Sequence, residues 1–267
     1  MGYKGYYKGK EDRAKQARTH TALMARKYEK RINNSINRTI MYGGDKPMPI
    51  SIDSPDEIPS PDIIIADTDS VSAVFDYNDG ITAVLNFASY KNPGGMFIKG
   101  SSAQEESLCH ESNLYNILFA FEKTYYGWNR KNINHSLYTN RALYTPDVMF
   151  VRDETGSVLC DVITCASPNW SSASSFNHET KENNRKALFS RIKFVKMIAE
   201  ENKVDTLILG AFGCGVFGQD PQEVARFFSV VFEHSVIKRI VFAIPSELHP
   251  ENYEAFVKQF ITEETET

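Results

Sequence analysis

Two clusters of glycine and one pair of adjacent carboxylates have the residue types and spacing to do chemistry. The first cluster is Asn92-Pro93-Gly94-Gly95-Met96, with Gly100 close behind; the second holds Gly210, Gly213, Gly215 and Gly218. Glycine lets the backbone turn at positive φ and lets amide N–H groups approach a ligand, and successive amides form a concave anion nest for which phosphate is the natural guest. Neither cluster is a Walker A loop, since no Lys-Ser/Thr follows, and neither is the GxGxxG of a dinucleotide-binding turn. Either one alone could be no more than a turn at a strand end. Gln104-Glu105-Glu106 follows the first cluster and opens a helical pattern. A carboxyl group beside a diphosphate nest can protonate a glycosidic leaving oxygen or activate water. Acids in a first turn also complement the helix dipole without any catalytic role. That position favours the carboxylate form, so burial or a bound anion must offset it before either group can donate a proton.

The elements that position these residues can be read from hydrophobic period. Ile63–Ala66, Ser72–Phe75 and Ile81–Phe87 are short, β-branched runs that predict strands. Residues 103–123 predict one helix that begins with the acids, with Leu108, Tyr115, Leu118 and Phe119 on its apolar stripe. Val158–Ala166 is a nearly unbroken apolar run ending in ASPNW, as expected of a strand buried on both faces that opens into a loop. A helix carrying Leu188, Ile192, Val195 and Ile198, a strand over Val204–Leu209 and the second glycine cluster follow. Asp220-Pro221 caps a helix whose apolar face is Val224, Phe227, Phe228 and Val231. Arg239–Ile244 predicts a last strand, and Tyr253, Phe256, Val257 and Phe260 a last helix. This alternation argues for a parallel or mixed sheet covered on both faces. Both clusters then leave carboxyl ends of strands, where open α/β sheets bind ligands.

With 267 residues, 42% hydrophobic and 24% charged, the chain can build a real core and is neither disordered nor fibrous. No apolar stretch of about 18 residues exists to span a bilayer. The charged N-terminus is no secretory signal, so a cytoplasmic location is expected. Cys109, Cys160, Cys165 and Cys214 form no CxxC pair and lie in apolar segments, which reads as reduced core thiols and not a disulfide or zinc framework. Cys214 lies inside the second glycine cluster, where a lowered pKa and nucleophilic reactivity are conceivable. The six histidines lack metal spacing. Tyr125, Tyr126, Trp128 and Tyr138 could form an adenine wall or pack in the core. The net charge of −4 is uneven: residues 1–38 carry +8 and the rest −12. A basic arm with Tyr3, Tyr6, Tyr7 and Tyr28 could touch nucleic acid or another polyanion. The alternative is a solvated packing helix over Asp12–Ile32, which Ala14, Ala17, Leu23, Ala25 and Tyr28 support. From Gly43 to Pro61 the chain is rich in Pro, Gly, Ser and Asp and predicts an irregular connection.

The run NFASYKNPGGMFIKGSSAQEESLCHESNLY, with VITCASPNW and GAFGCGVFGQDP downstream, resembles the microbial-type poly(ADP-ribose) glycohydrolases, a branch of the macrodomain fold. The family signature is a glycine triplet, a spacer and Gln-Glu-Glu. The resemblance implies a three-layer α/β/α sandwich with a mixed sheet, carrying an N-terminal basic helical extension over residues 1–45 on a catalytic domain over 46–267. It implies a hydrolase, without cofactor or metal, that cleaves the ribosidic bond of ADP-ribose in polymer or on modified proteins; separately, a monomer is expected. Glu106 matches the catalytic acid, which protonates the departing oxygen and then helps water attack the anomeric carbon; Glu105 matches the partner that orients the ribose. Gln104 completes the signature. Asn92 is similar to the polar residue near the scissile bond, and Gly94 and Gly95 to the first diphosphate loop. Gly213, Cys214, Gly215, Val216 and Phe217 match the second loop, with Phe217 against a ribose. Asn86 and Asn169 are candidates for structural or adenosine contacts.

The sequence departs from the family at Met96, which stands where the triplet has its third glycine. If that position requires positive φ or direct backbone contact with phosphate, methionine weakens binding or turnover; alternatively Met96 covers the ribose and selects among linkages. A hydrolase of poly(ADP-ribose), a mono-ADP-ribosyl-protein hydrolase and a weak or inactive ADP-ribose reader share these motifs. An interaction protein that uses the basic arm on nucleic acid, with the glycines as mere turns, is the reading from another class.

Overall fold

A computed structural model describes residues 9–49, 60–152 and 156–261, and among them seven strands form one mixed sheet. These are β1 (Ile40–Gly43), β2 (Asp62–Ala66), β3 (Thr82–Phe87), β4 (Arg141–Arg152), β5 (Gly156–Cys165), β6 (Thr206–Leu209) and β7 (Arg239–Ala243), in the order β1-β4-β5-β3-β6-β7-β2. β3 is parallel to both β5 and β6, and β7 is parallel to β6 and β2, while β1 and β5 flank β4 antiparallel. Side chains that alternate along the central strands enter two cores. Leu85, Leu207, Leu209, Ile240 and Phe242 face α7 (Lys181–Glu201), α8 (Pro221–Phe232) and α9 (Pro250–Ile261). Val84, Ile208, Val241 and Val162 face α1 (Lys10–Arg38), α2 (Ser70–Asp76), α3 (Gln104–His110) and α4 (Leu114–Ala120). The result is the three-layer α/β/α sandwich expected. The short helices α5 (Gly127–Lys131) and α6 (Trp170–Asn177) lie in connections.

Several elements differ from the sequence reading, each for a local reason. Ser72–Phe75 is helical and not a strand, because the Asp69 carboxylate accepts the N–H groups of Val71 (2.9 Å) and Ser72 (3.0 Å) and so caps α2. The helix expected over 103–123 is broken between α3 and α4, because Glu111–Asn113 pairs with β4. The Glu111 carbonyl accepts the Val151 N–H (2.8 Å), and the Asn113 N–H donates to the Met149 carbonyl (3.1 Å). β4 itself carries a register shift between Thr145 and Val148, where Pro146 and Asp147 (φ +57°) interrupt its apolar pattern.

The basic helix runs from Lys10 to Arg38 and buries Ala17, Met24, Ile32 and Ser35, whereas Leu23 and Ala25 face solvent. Ile40–Gly43, expected within the helical extension, is a strand of the sheet: Thr39 turns extended and Ile40-Met41-Tyr42 pairs with Tyr144-Leu143-Ala142. Tyr3, Tyr6 and Tyr7, together with residues 50–59 of the expected connection, lie outside the described residues. No described helix is long and apolar enough to cross a membrane.

Candidate active site

β3, β5 and β6 end side by side, and the two glycine clusters and the ASPNW segment leave from those ends. The start of α3 is drawn onto the end of β3 by Gln104. Its Nε2 donates to the Leu85 carbonyl (2.9 Å) and Ser70 Oγ (3.0 Å), and its Oε1 accepts the Phe87 N–H (2.9 Å). Gln104 therefore extends the strand's hydrogen bonding into the helix and sets the next two residues, Glu105 and Glu106, on the rim.

Both glutamates are buried. Glu106 Oε1 accepts the Met96 N–H (2.9 Å) and Oε2 the Ala103 N–H (3.1 Å), the second contact being the reach-back from the third helical position that caps a first turn. Glu105 Oε2 accepts the Ser89 N–H (2.7 Å), and its Oε1 accepts from Asn86 Nδ2 (3.2 Å), which also reaches Thr164 Oγ1 (3.3 Å). Burial pushes the Glu105 carboxyl up to about 8 and the neighbouring Glu106 adds to the rise, while the Ser89, Asn86 and Gly94 donors oppose it. A carboxyl group so placed keeps a proton near neutrality, so the burial that an acid at a helix start requires is present.

The first glycine cluster wraps these carboxyls. Gly95 has φ +60°, and a Cβ on it would stand 2.6 Å from Glu106 Oε1 and 3.0 Å from Glu105 Oε2. Only glycine admits both the turn and the approach. Met96 has φ −111°, a conformation open to any residue, so the departure from the triplet imposes no backbone strain. Its N–H holds Glu106, and its side chain is 42% exposed. Asn92 closes the turn through its carbonyl, which accepts the Gly95 N–H (3.1 Å).

The second cluster is fixed at its base and open at its tip. Gln219 donates to the Pro168 carbonyl (2.8 Å) and exchanges hydrogen bonds with Asn184 (2.8 and 2.9 Å), and the Ser171 N–H donates to the Phe217 carbonyl (3.0 Å). Gly213 turns closely over Ser167. Among the described residues no acceptor takes the N–H of Gly215, Val216 or Phe217. A Cβ on Gly215 would meet nothing within 4 Å, and Val216 is 84% exposed. Such a run of open amides is an anion cradle. Burial raises the Cys214 thiol well above its usual range, which argues against an activated nucleophile there.

Of the four aromatic residues singled out, Tyr125 and Tyr126 belong to the core, and Trp128 lies against the buried Arg141 guanidinium (4.2 Å). Tyr138 instead stacks on Tyr90 (4.1 Å) and meets Phe217 edge-on (6.2 Å), forming a wall beside the second loop. Asn169 caps α6 by accepting the Ser172 N–H (3.0 Å). The contributions of Ser89 and Tyr90 were missed, since a backbone N–H and a loop tyrosine leave no periodic signal. Among the described residues no cluster of three His, Cys, Asp or Glu could hold a metal ion.

The family model of the microbial-type PARG catalytic domain matches residues 11–153, more than half of the chain. The poly(ADP-ribose) glycohydrolase (PARG) of Thermomonospora curvata superposes with a TM-score of 0.81 at 24% identity, over 94% of this chain and 100% of that one. The PARG of Deinococcus radiodurans in complex with ADP-ribose gives 0.74 at 27% identity, over 86% and 97%. No curated protein matches the sequence.

Proposed function

The chain belongs to the microbial-type poly(ADP-ribose) glycohydrolase family, and from that premise we propose that it cleaves the ribosidic bond of poly(ADP-ribose) with Glu106 as the acting carboxyl. The observation that carries this reading is the seating of Glu106, gripped by the Met96 and Ala103 N–H groups and abutted by Gly95, at the rim shared with the open amides of Gly215–Phe217. The diphosphate of the bound unit lies on those amides, and its ribose stands between Phe217 and the two carboxyls. Glu106 gives a proton to the departing oxygen as the bond to the anomeric carbon breaks. The resulting carboxylate takes a proton from the water that attacks that carbon, which restores the acid and releases ADP-ribose. Glu105, kept neutral by burial, donates a hydrogen bond that orients the ribose. Asn92 and the exposed Met96 lie on the loop that wraps the carboxyls, and Cys214 packs against the core beneath the second loop.

Glu106→Gln keeps the shape of the site and removes the proton. Release of ADP-ribose from poly(ADP-ribosyl)ated protein should fall by about 100-fold or more, with ADP-ribose affinity by calorimetry within a few fold. Release equal to the parent's would overturn the assignment. Helix α1 and strand β1 act as part of the catalytic unit, a monomer in the cytoplasm; the buried thiols of Cys109, Cys160 and Cys165 favour a reducing compartment.

A further inference from the structure

The helix α1 begins at the catalytic rim and ends at the far end of the sheet. Its first turn lies on the loop that holds Glu106: Gly100 (φ +82°) leaves no room for a Cβ beneath the Lys10 carbonyl, and Arg13 Nε donates to the Gly100 carbonyl (2.7 Å). Midway, His20 Nε2 meets the Ser112 carbonyl (2.7 Å) and Asn116 donates to the Thr21 carbonyl (3.0 Å). At its end Ser35 donates to the Asp147 carbonyl (3.3 Å) and Arg38 pairs with the Asp147 carboxylate. With Ala17, Met24, Ile32 and Ser35 turned inward, the outer surface carries Lys15, Arg18, Arg26, Lys27, Lys30 and Arg31, all exposed. None of the six is in an ion pair among the described residues, and Glu29 is the only acid between Lys15 and Arg31. Tyr28 (φ −123°, ψ 23°) kinks the helix between Lys27 and Lys30, so the six span at most about 24 Å at the helical rise per residue.

Six exposed cations, none ion-paired among the described residues, on one helix of a chain with net charge −4 call for a polyanion, because the −12 carried by residues 39–267 repels one elsewhere. We propose that α1 is a docking track for the stretch of poly(ADP-ribose) that lies outside the catalytic site, its cations pairing with successive diphosphates. This rests on the glycohydrolase reading above and extends it. A unit seated at Glu106 is covalently joined to the rest of its chain, and the N-terminal end of α1 adjoins the loop that seats it, so the track starts where the polymer leaves the site. Contacts of this kind release counterions, and they raise the local concentration of long substrates without touching the reacting bond.

The test compares long poly(ADP-ribose) with the ADP-ribose dimer as substrates of the full chain and of the triple variant Lys15→Glu/Arg26→Glu/Lys30→Glu, from 50 to 300 mM salt. KM for the long polymer should rise about 10-fold at low salt with kcat unchanged, and its salt dependence should flatten, whereas the dimer's KM stays within two-fold. The neutral counterpart Lys15→Gln/Arg26→Gln/Lys30→Gln, with a melting temperature matching the parent's, should fall between the two. An unchanged KM for the long polymer, or an equal loss on both substrates, overturns the track. So does a reversal variant that loses only affinity for single-stranded DNA, which would assign the face to nucleic acid. If the parent hydrolyses neither substrate, the glycohydrolase reading itself fails.

Discussion

The loop after β3 and the loop after β6 leave neighbouring parallel strands, and both are rich in glycine, yet their amides are partnered differently. In the first, the Met96 N–H holds Glu106, the Gly94 N–H bears on Glu105, and a Cβ on Gly95 would strike both carboxyls. In the second, the amides of Gly215, Val216 and Phe217 meet no acceptor among the described residues, and Gly215 faces open space. The first loop therefore grips the protein's own carboxyls, and the second leaves its tip amides without a protein acceptor among the described residues. Glycine enrichment at a strand end is one sequence signal with two physical causes: close approach of a buried side chain, or clearance for a bound molecule.

Gly95→Ala is the most damaging way to test this contrast. It forces a Cβ into the two carboxyls at a left-handed backbone position that alone costs about 1–2 kcal/mol, and displacing Glu106 should lower kcat about 100-fold. Thermal melting and turnover should fall together; turnover without loss would show that the first loop does not position the acid. Gly215→Val at the second loop should leave the melting temperature unchanged, since nothing in the fold opposes the side chain, but weaken ADP-ribose binding at least about 10-fold. Calorimetry decides, and unaltered affinity would remove the diphosphate from that cradle.

The contrast was only half legible in the sequence. Strands β2, β3, β5, β6 and β7 and helices α7–α9 follow from apolar period, because each of these helices buries one stripe in a single core and the central strands bury apolar runs whose alternate side chains enter the two cores. β4 escaped because Pro146 and Asp147 break its run, and the break at Glu111–Asn113 escaped because its cause is a strand remote in sequence. The Gln-Glu-Glu signature placed the carboxyls on the rim, but nothing in the sequence showed that the Met96 and Gly94 amides bear on them. That follows from the depth of Glu105 and Glu106 beneath the loop, a three-dimensional fact with no spacing of its own. The same holds for Met96, whose negative φ makes the third position of the triplet a question of side chain and not of backbone.

Burial of Glu105 gives the first loop a pH signature that the second lacks. The unfolded carboxyl releases its proton near 4.5 and the folded one near 8, so between these values the native state binds more protons and stability falls as pH rises. Glu105→Gln has no such proton. Relative to the parent it should gain stability steadily from about pH 5 to pH 8, on the order of 4 kcal/mol over the window, and show no further gain above it. Denaturant titrations at stepped pH measure this, and a constant difference between the two proteins would mean that Glu105 is ionised throughout.

The smallest effect expected on the fold is that of Met96→Ala. The backbone at Met96 is relaxed and the N–H that holds Glu106 remains, so stability should change by no more than about 0.5 kcal/mol. What changes is the surface of the loop that seats the acid, on which the Met96 side chain is exposed. Cleavage of the unhindered polymer end should stay within about three-fold, since a partly exposed side chain contributes little binding, while the ratio of rates on polymer and on mono-ADP-ribosylated protein should shift. A rate increase shared equally by both substrates would make Met96 a general obstruction; a shift in the ratio makes it the residue by which this loop, otherwise turned toward its own carboxyls, also reads the ligand.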